Sequence, residues 1–260
     1  MKDEFMRGPY AFPLVDFHTH ILPKVDDGSK SVEESLEMIR TLAAAGVSRI
    51  ALTPHFYPRY DDPERFLARR DKAFTALCDA VMSNPDTSHV NLIPGAEVEY
   101  FEGIACIKDY PRLKIGNTGC LLVEMPHGRW TSHMVDDLIV LNNSGFFRVV
   151  IAHVERYLFE QKKSVIHALI DDGIVIQSNA DFFVNRRTSK AAVRWLKKGL
   201  IHIIGSDSHD MLMRPPNIKE ACEIITKHAG EAVLAEMMTM AYNLLEDDIH
   251  NINDRTAARV

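Results

Sequence analysis

Histidine, aspartate and glutamate recur at the ends of six short apolar runs: Asp16-Phe17-His18-Thr19-His20, Thr53-Pro54-His55, Pro94-Gly95-Ala96-Glu97, Val123-Glu124, Ala152-His153 and Gly205-Ser206-Asp207-Ser208-His209. A lone histidine or glutamate after a strand is ordinarily a loop residue or a satisfied partner. Six such endings in one chain point instead to bound metal. In His18-x-His20 two side chains one residue apart leave an extended strand on the same side, so both imidazoles can reach one ion. Asp207-x-His209 repeats that spacing. The donors are imidazole nitrogen and carboxylate oxygen without thiolate, which suits Mn, Fe, Zn or Co better than a closed structural zinc site. They outnumber the ligands of one tetrahedral ion. The surplus carboxylates predict a cluster in which a glutamate bridges two ions, the arrangement used to hydrolyse phosphate esters.

These residues need elements to carry them. Strands are expected at residues 14–17, 49–52, 91–93, 121–123, 148–151, 174–176 and 201–204, with helices between them at 31–45, 63–82, 132–143, 164–171 and 189–198. Ser31 followed by Glu34 reads as a capping box, the stripe Val32, Leu36, Ile39, Ala43 follows it, and Gly46 ends the helix. Pro63 suits the first turn of the next helix. Seven strand-then-helix units call for a parallel sheet in one α/β domain; a doubly wound sheet and a closed or distorted barrel both fit. Six of the seven strands end in a candidate ligand, and in a parallel barrel all carboxyl ends open on one face.

Bulk properties exclude several classes. A chain of 260 residues, 46% apolar and 25% charged, can bury one sizeable core. Its formal charge of -6 argues against nucleic acid as a partner, though not against a phosphorylated substrate, since local arginines and ions set the field in a cleft. Residues 1–13 form an N-terminal extension without the apolar core of a signal peptide. No apolar run approaches the ~20 residues that span a bilayer, so membrane insertion is not expected. Cys78, Cys106, Cys120 and Cys222 are scattered and read as reduced thiols of a cytoplasmic protein. Residues 247–260 read as a frayed tail.

His18-Thr19-His20, the following Val25-Asp26-Asp27-Gly28, Thr53-Pro54-His55, Pro94-Gly95-Ala96-Glu97, Ile151-Ala152-His153-Val154-Glu155-Arg156 and Asp207-Ser208-His209 resemble the motifs of a PHP-type metal phosphoesterase. More narrowly, the chain is similar to the bacterial manganese-dependent protein-tyrosine phosphatases of capsule and exopolysaccharide loci. The likeness runs from about Val15 to about Leu245, and the stretch from His18 through Gly28 and Ser29 is its most specific part. It implies a distorted (β/α)7 barrel over residues 14–246 and a site of two or three Mn2+ ions. Carried over by position, one ion resembles that held by His18, His20, Glu97 and Asp207. A second would use Glu97 with Glu124 and His153, and a third Asp27, His55 and His209. Asp26 is then the neighbour behind the ligands, the exchange with Asp27 standing open. Arg156 and Arg214 match the family's phosphate-contacting arginines. The implied partner is a phosphotyrosine protein, a bacterial tyrosine kinase; whether the chain forms a homo-oligomer is left open. Departures from the pattern are Val154 for Pro, Phe56 for a second His, and Asn179-Ala180-Asp181-Phe182-Phe183 where the family has a small Gly-containing loop.

The implied mechanism is in-line attack of a metal-bound hydroxide on phosphorus, metals lowering the pKa of bound water from 15.7 to about 7. The planar forks of Arg156 and Arg214 would hold the non-bridging phosphoryl oxygens; their plain alternative is surface ion pairing. A phenolate leaves more easily than an alkoxide, and no general acid is assigned. Cys106 and Arg112 form C-x5-R, the spacing of cysteine-dependent phosphatases, but the interval Ile-Lys-Asp-Tyr-Pro makes a poor anion cradle. His127 is a candidate neighbour of the site; the other histidines read as ordinary, and Met237, Met238 and Met240 as core. A small-molecule phosphatase of histidinol-phosphate type and a non-catalytic metal-binding domain are the competing readings. The first would show a Cys/His-containing stretch where residues 21–28 stand, the second missing ligands.

Overall fold

Short runs of Val, Ile and Leu bounded by turns become strands when both faces are covered, and here helices cover them. The computed structural model describes residues 9–246; expectations for the first eight residues and for the tail 247–260 lie outside the described residues, as does the side chain of Cys106. Nine strand segments follow one another: β1 (Leu14–Thr19), β2 (Val47–Leu52), β3 (His55–Phe56), β4 (Asn91–Pro94), β5 (Glu97–Glu99), β6 (Cys120–Glu124), β7 (Arg148–Ile151), β8 (Val175–Asn179) and β9 (Ile203–Gly205). Helices α1 (Val32–Ala44), α2 (Pro63–Met82), α3 (Ser132–Asn142), α4 (Lys163–Asp171), α5 (Ala180–Val184) and α6 (Ser189–Leu196) fill the crossovers, and α7 (Ile218–Ala229) and α8 (Glu231–Leu244) follow β9. The third crossover is the exception: after β5 the chain makes two 3-10 turns, Ile104–Asp109 and Pro111–Leu113, in place of an α-helix.

All the pairings are parallel, in the orders β1-β2-β4 and β3-β5-β6-β7-β8-β9. The two sets are joined through bent strands. Pro54, which has no N–H to give, separates β2 from β3, and Gly95-Ala96 separates β4 from β5. Hydrogen bonds bridge both bends, from Gly95 N to Leu52 O at 2.8 Å and from Glu97 N to Pro54 O at 3.0 Å. The sheet curls until β9 comes beside β1, with a parallel bridge between Thr19 and Ser208 and the Asp207 N–H on the His18 carbonyl at 2.8 Å. No helix among the described residues is long and apolar enough to cross a membrane.

Local signals place α1 as expected. Ser31 Oγ accepts from Glu34 N at 3.2 Å, a cap of about 1 kcal/mol. The Glu34 carboxylate reaches one residue further back than a capping box requires and accepts from Lys30 N at 2.7 Å. Gly46, at φ 91°, turns the chain out of the helix. Met237 and Met238 are buried on α8, where the Met238 sulfur faces the β1 backbone. Tyr10 and Phe12 stack at 5.3 Å, and the Tyr10 hydroxyl accepts from Thr226 on α7, so the end of the N-terminal extension packs on the domain.

Candidate metal centre

The strand ends deliver their side chains to one place. From β1, alternation sends His18 and His20 the same way, and their Nε2 atoms lie 3.0 Å apart. Glu97, at the bend into β5, enters between them, with Oε2 3.2 Å from each. Asp207, just past β9, brings Oδ1 to 3.3 Å from His20 and 3.7 Å from His18. An ion with bonds of about 2.0–2.1 Å to four such donors requires tetrahedral edges of about 3.3–3.4 Å, so this spacing suits one. The other Glu97 oxygen, Oε1, faces His153 Nε2 at 2.7 Å, and Glu124 stands 3.5 Å from the same nitrogen. His55 Nδ1 lies 2.9 Å from Glu97 Oε2 and 3.9 Å from Glu124. At the mouth, Asp27 Oδ1 is 3.5 Å from His209 Nε2 and 3.7 Å from His55 Nε2. Three groups of these side chains could each hold a metal ion: His18, His20 and Asp207; His55, Glu97 and Glu124; His20, Asp27, His55 and His209.

The donor atoms fit cations rather than one another. Asp26 accepts from His20 Nδ1 at 2.6 Å, and Gln177 Oε1 faces His18 Nδ1 at 3.5 Å. An oxygen acceptor at each Nδ1 leaves both Nε2 lone pairs, in the neutral rings, pointing at each other. Glu97 Oε2 and His55 Nδ1, both buried, have no hydrogen-bond partner among the described residues despite their 2.9 Å approach. Buried polar atoms are rarely left so. A positive charge between them resolves all three conflicts.

Electrostatics agree. Burial opposes a charged Glu97, but His18, His153 and His20 outweigh it and hold the carboxyl well below the usual range; His18 and His20 do the same for buried Asp207. Burial likewise opposes protonation of His18 and His20, yet the facing carboxylates, Asp26 included for His20, raise both. Burial pushes His153 down to about 4, and burial with His20 and Arg214 pushes His209 to about 4. Burial and Glu97 push Glu124 up.

Glycine admits the close packing behind the ligands. A Cβ on Gly28 would stand 2.1 Å from the His20 carbonyl oxygen, and one on Gly205 2.5 Å from His18 Cβ. Asp26 Oδ2 also accepts from His55 N at 2.9 Å, so Asp26 lies behind His20 and His55 while Asp27 faces the mouth.

Arg156 and Arg214 meet at the outer oxygen of Asp207, at 2.7 and 2.6 Å. Arg156 also approaches Glu124 at 3.3 Å, and Arg214 Nη1 lies 2.9 Å from His209 Nε2. Both border a cleft of about 410 Å³, with Phe182, Met213 and Asn217 on its walls. The Arg214 loop is closed by Asp210, whose carboxylate accepts from the backbone N–H groups of Leu212, Met213 and Arg214.

Other candidates fall elsewhere. Arg112 pairs with Asp71, and the backbone around Cys106 is a 3-10 helix rather than an anion-binding loop. His127 is exposed, 6.0 Å from the Tyr157 ring. His202 accepts from Ile176 N, and His133 pairs with Asp137. Phe56 is buried against Phe66 at 5.0 Å.

Three participants escaped the sequence reading. Tyr157 sets its hydroxyl 3.3 Å from His153 Nδ1 while accepting from Met125 N. Gln177 and Asn179 extend β8 beyond the apolar run that ends at Ile176. Their signal was the same one-residue spacing that marks His18-x-His20, hidden because amides are not ligand types.

Fold and site together define a parallel α/β protein with a histidine–carboxylate centre at the carboxyl ends of its strands. The chain belongs to the capsular polysaccharide synthesis CpsB/CapC family, whose model matches residues 14–245. It is 28% identical over 233 residues to the tyrosine-protein phosphatase CpsB of Streptococcus agalactiae, covering 84% of this chain and 92% of that protein. To the tyrosine-protein phosphatase YwqE of Bacillus subtilis it is 28% identical over 238 residues, 89% of this chain and 91% of that one. It also matches a solved structure from work on YwqE of Bacillus subtilis and CpsB of Streptococcus pneumoniae, described as unique metal-dependent tyrosine phosphatases. That match has a TM-score of 0.78 at 24% identity, covering 90% of this chain and 94% of that one.

Proposed function

We propose that this chain is a metal-dependent protein-tyrosine phosphatase that dephosphorylates a bacterial tyrosine kinase in capsule or exopolysaccharide synthesis, in the cytoplasm. The observation that carries the reading is Glu97, a buried carboxylate whose two oxygens face different nitrogen sets, His153 on one side and His18, His20 and His55 on the other. The names of the relatives supply the substrate class. In this reading residues 14–246 form a distorted (β/α)7 barrel of PHP type, which the parallel strand order and the Thr19–Ser208 bridge support.

His18, His20, Glu97 and Asp207 hold one ion; Glu97, Glu124 and His153 a second; Asp27, His55 and His209 a third. Mn2+ is our assignment, from donors that are all nitrogen and oxygen. Bound ions supply Lewis acidity and a hydroxide nucleophile near neutral pH. The protein's own part is placement. Asp26 orients His20, Tyr157 stands behind His153, and burial keeps His18, His20, Glu97 and Asp207 out of water. Arg156 and Arg214, at the cleft edge, grip the non-bridging oxygens of the phosphoryl group; each fork can contact two oxygens at once. A departing phenolate, of pKa about 10, needs little help from an acid.

Metal analysis of the purified protein, paired with turnover of phosphotyrosine peptides and small phosphomonoesters, tests this. Chelation should abolish hydrolysis and Mn2+ restore it best. Full turnover in protein shown to be metal-free would end the proposal. A strong preference for a small phosphomonoester would move it to a small-molecule phosphatase.

A further inference from the structure

Strand β8 is the one of the seven expected strands whose end carries no candidate ligand, yet its polar tip lies among the candidate ligands of its neighbours. Gln177 and Ser178 are fully buried, and Asn179 is 8% exposed. The Gln177 oxygen accepts from His153 N at 2.6 Å and faces His18 Nδ1 at 3.5 Å. Its amide nitrogen donates to Asn179 Oδ1 at 3.1 Å, and the Asn179 nitrogen donates to Asp207 Oδ2 at 2.6 Å.

The direction of this chain is set at both ends. A backbone N–H can only donate, so the Gln177 oxygen must face His153. An ionised carboxylate can only accept, so the Asn179 nitrogen must face Asp207. Neither amide can flip without leaving both ends unpaired in a buried setting, which is costly.

What the chain joins is informative. Among the described residues three non-glycine positions have positive φ: Lys24 at 59°, His153 at 31° and Asp207 at 54°. Two of the three are the ligand-bearing residues at the two ends of the amide chain. Such backbone persists only where surrounding structure holds it. The hydrogen bond on His153 N acts on the strained residue itself. The bond on Asp207 Oδ2 engages the outer oxygen and leaves Oδ1 toward His18 and His20. The contact at His18 Nδ1 favours the tautomer that turns the Nε2 lone pair inward.

We propose that Gln177 and Asn179 are positioning residues: a buried amide relay that holds His18, His153 and Asp207 in ligating orientation. The inference rests on the reading that this cluster holds ions, and it gives β8 the same task as its neighbours by indirect means. Partners behind metal ligands typically cost 10- to 100-fold in affinity when removed.

The test is Mn2+ binding by calorimetry and metal analysis on the full chain, beside the thermal midpoint in chelator. Gln177→Met and Asn179→Leu should each weaken Mn2+ binding by about 10- to 100-fold. The double variant should fall little below the weaker single one, since both break one relay. Midpoints in chelator should change far less than midpoints in Mn2+. If a core variant does not fold, Asn179→Ala, at the cleft edge, reads the Asp207 end alone and should weaken binding about tenfold. Unchanged Mn2+ affinity in the variants, with a lowered midpoint in chelator, would make the amides mere packing and overturn the proposal. A parent protein that binds no Mn2+ would overturn the metal reading and this inference with it.

Discussion

The inner and outer parts of the cluster are built differently. His18, His20 and Glu97 have fully buried side chains, and Asp207 is 2% exposed. Three of them are held from behind: His20 by Asp26, His18 by Gln177 and Asp207 by Asn179. At the mouth Asp27 is 67% exposed, and Arg156 and Arg214 are 32% and 39% exposed. The inner part is a buried set of histidines and carboxylates whose charges are tolerable only together. In the proposed function the outer part admits a phosphorylated side chain, which its exposure allows. Substitutions should therefore divide by depth: inner changes lose metal and rate together, the two arginines lose rate while metal stays, and Asp27 loses only the ion at the mouth.

The largest effect belongs to Glu97. Removing one charge from the shared carboxylate in Glu97→Gln, or from Asp207 in Asp207→Asn, should cost bound Mn2+ and lower turnover by orders of magnitude. Metal content measured beside kcat/KM decides; retained metal with near-parent turnover would erase the difference between depths. Arg214→Ala comes next. A charge-assisted contact of about 1.5–3 kcal/mol corresponds to a fall of roughly ten- to more than a hundredfold in kcat/KM. Metal content and thermal midpoint should hold. Arg214→Lys should recover only part of the loss, because an ammonium keeps the charge without the fork. Unchanged kinetics in the alanine variant would return Arg214 to an ion pair with Asp207.

Asp27→Asn sharpens the comparison from the mouth. It should release about one ion per chain and leave the others bound, read by stoichiometry; loss of every ion would mean that the mouth and the inner set are one unit. The pH dependence of the chelator-treated protein is a smaller effect. His18 and His20 are raised in the fold, so their contribution is fully present below the unfolded histidine pKa of about 6.5 and fades as pH rises through the raised values. Glu97 and Asp207 are lowered, so theirs is present above about 4 and is lost in acid. The thermal midpoint in chelator should peak between these limits and fall by a few degrees on the alkaline side, while the Mn2+-loaded protein stays flatter. Equal slopes with and without Mn2+ would argue against metal replacing those protons. The smallest effect is Cys106→Ser, expected to leave turnover nearly unchanged since the chain around it forms a 3-10 helix; a large loss with metals intact would require a thiolate mechanism.

Much of this was legible in the residues. The seven expected strands all form, because runs of Val, Ile and Leu between turns have few other ways to be buried. The i, i+2 pairs share a face because strand periodicity is two. The nine residues singled out as ligands gather at one end because parallel strands put every carboxyl end on the same side. Two features were not legible. The crossover after β5 uses 3-10 turns, where no periodic apolar stripe asks for a helix. Strand β8 runs three residues past its apolar stretch, since its polar end is paid for by partners far away in sequence.

Residue type and spacing thus determined which atoms could meet a cation, and that parallel strands would carry them on their carboxyl ends. Tertiary structure alone decided which oxygen of Glu97 faces which histidine, that Asp26 stands behind His20 while Asp27 faces the mouth, and that two neutral amides join His153 to Asp207. The reason is physical. Ligand identity is a property of one side chain, but the direction of a lone pair depends on the hydrogen bond made at the far side of the ring or carboxylate. That partner comes from whichever strand the curled sheet sets alongside.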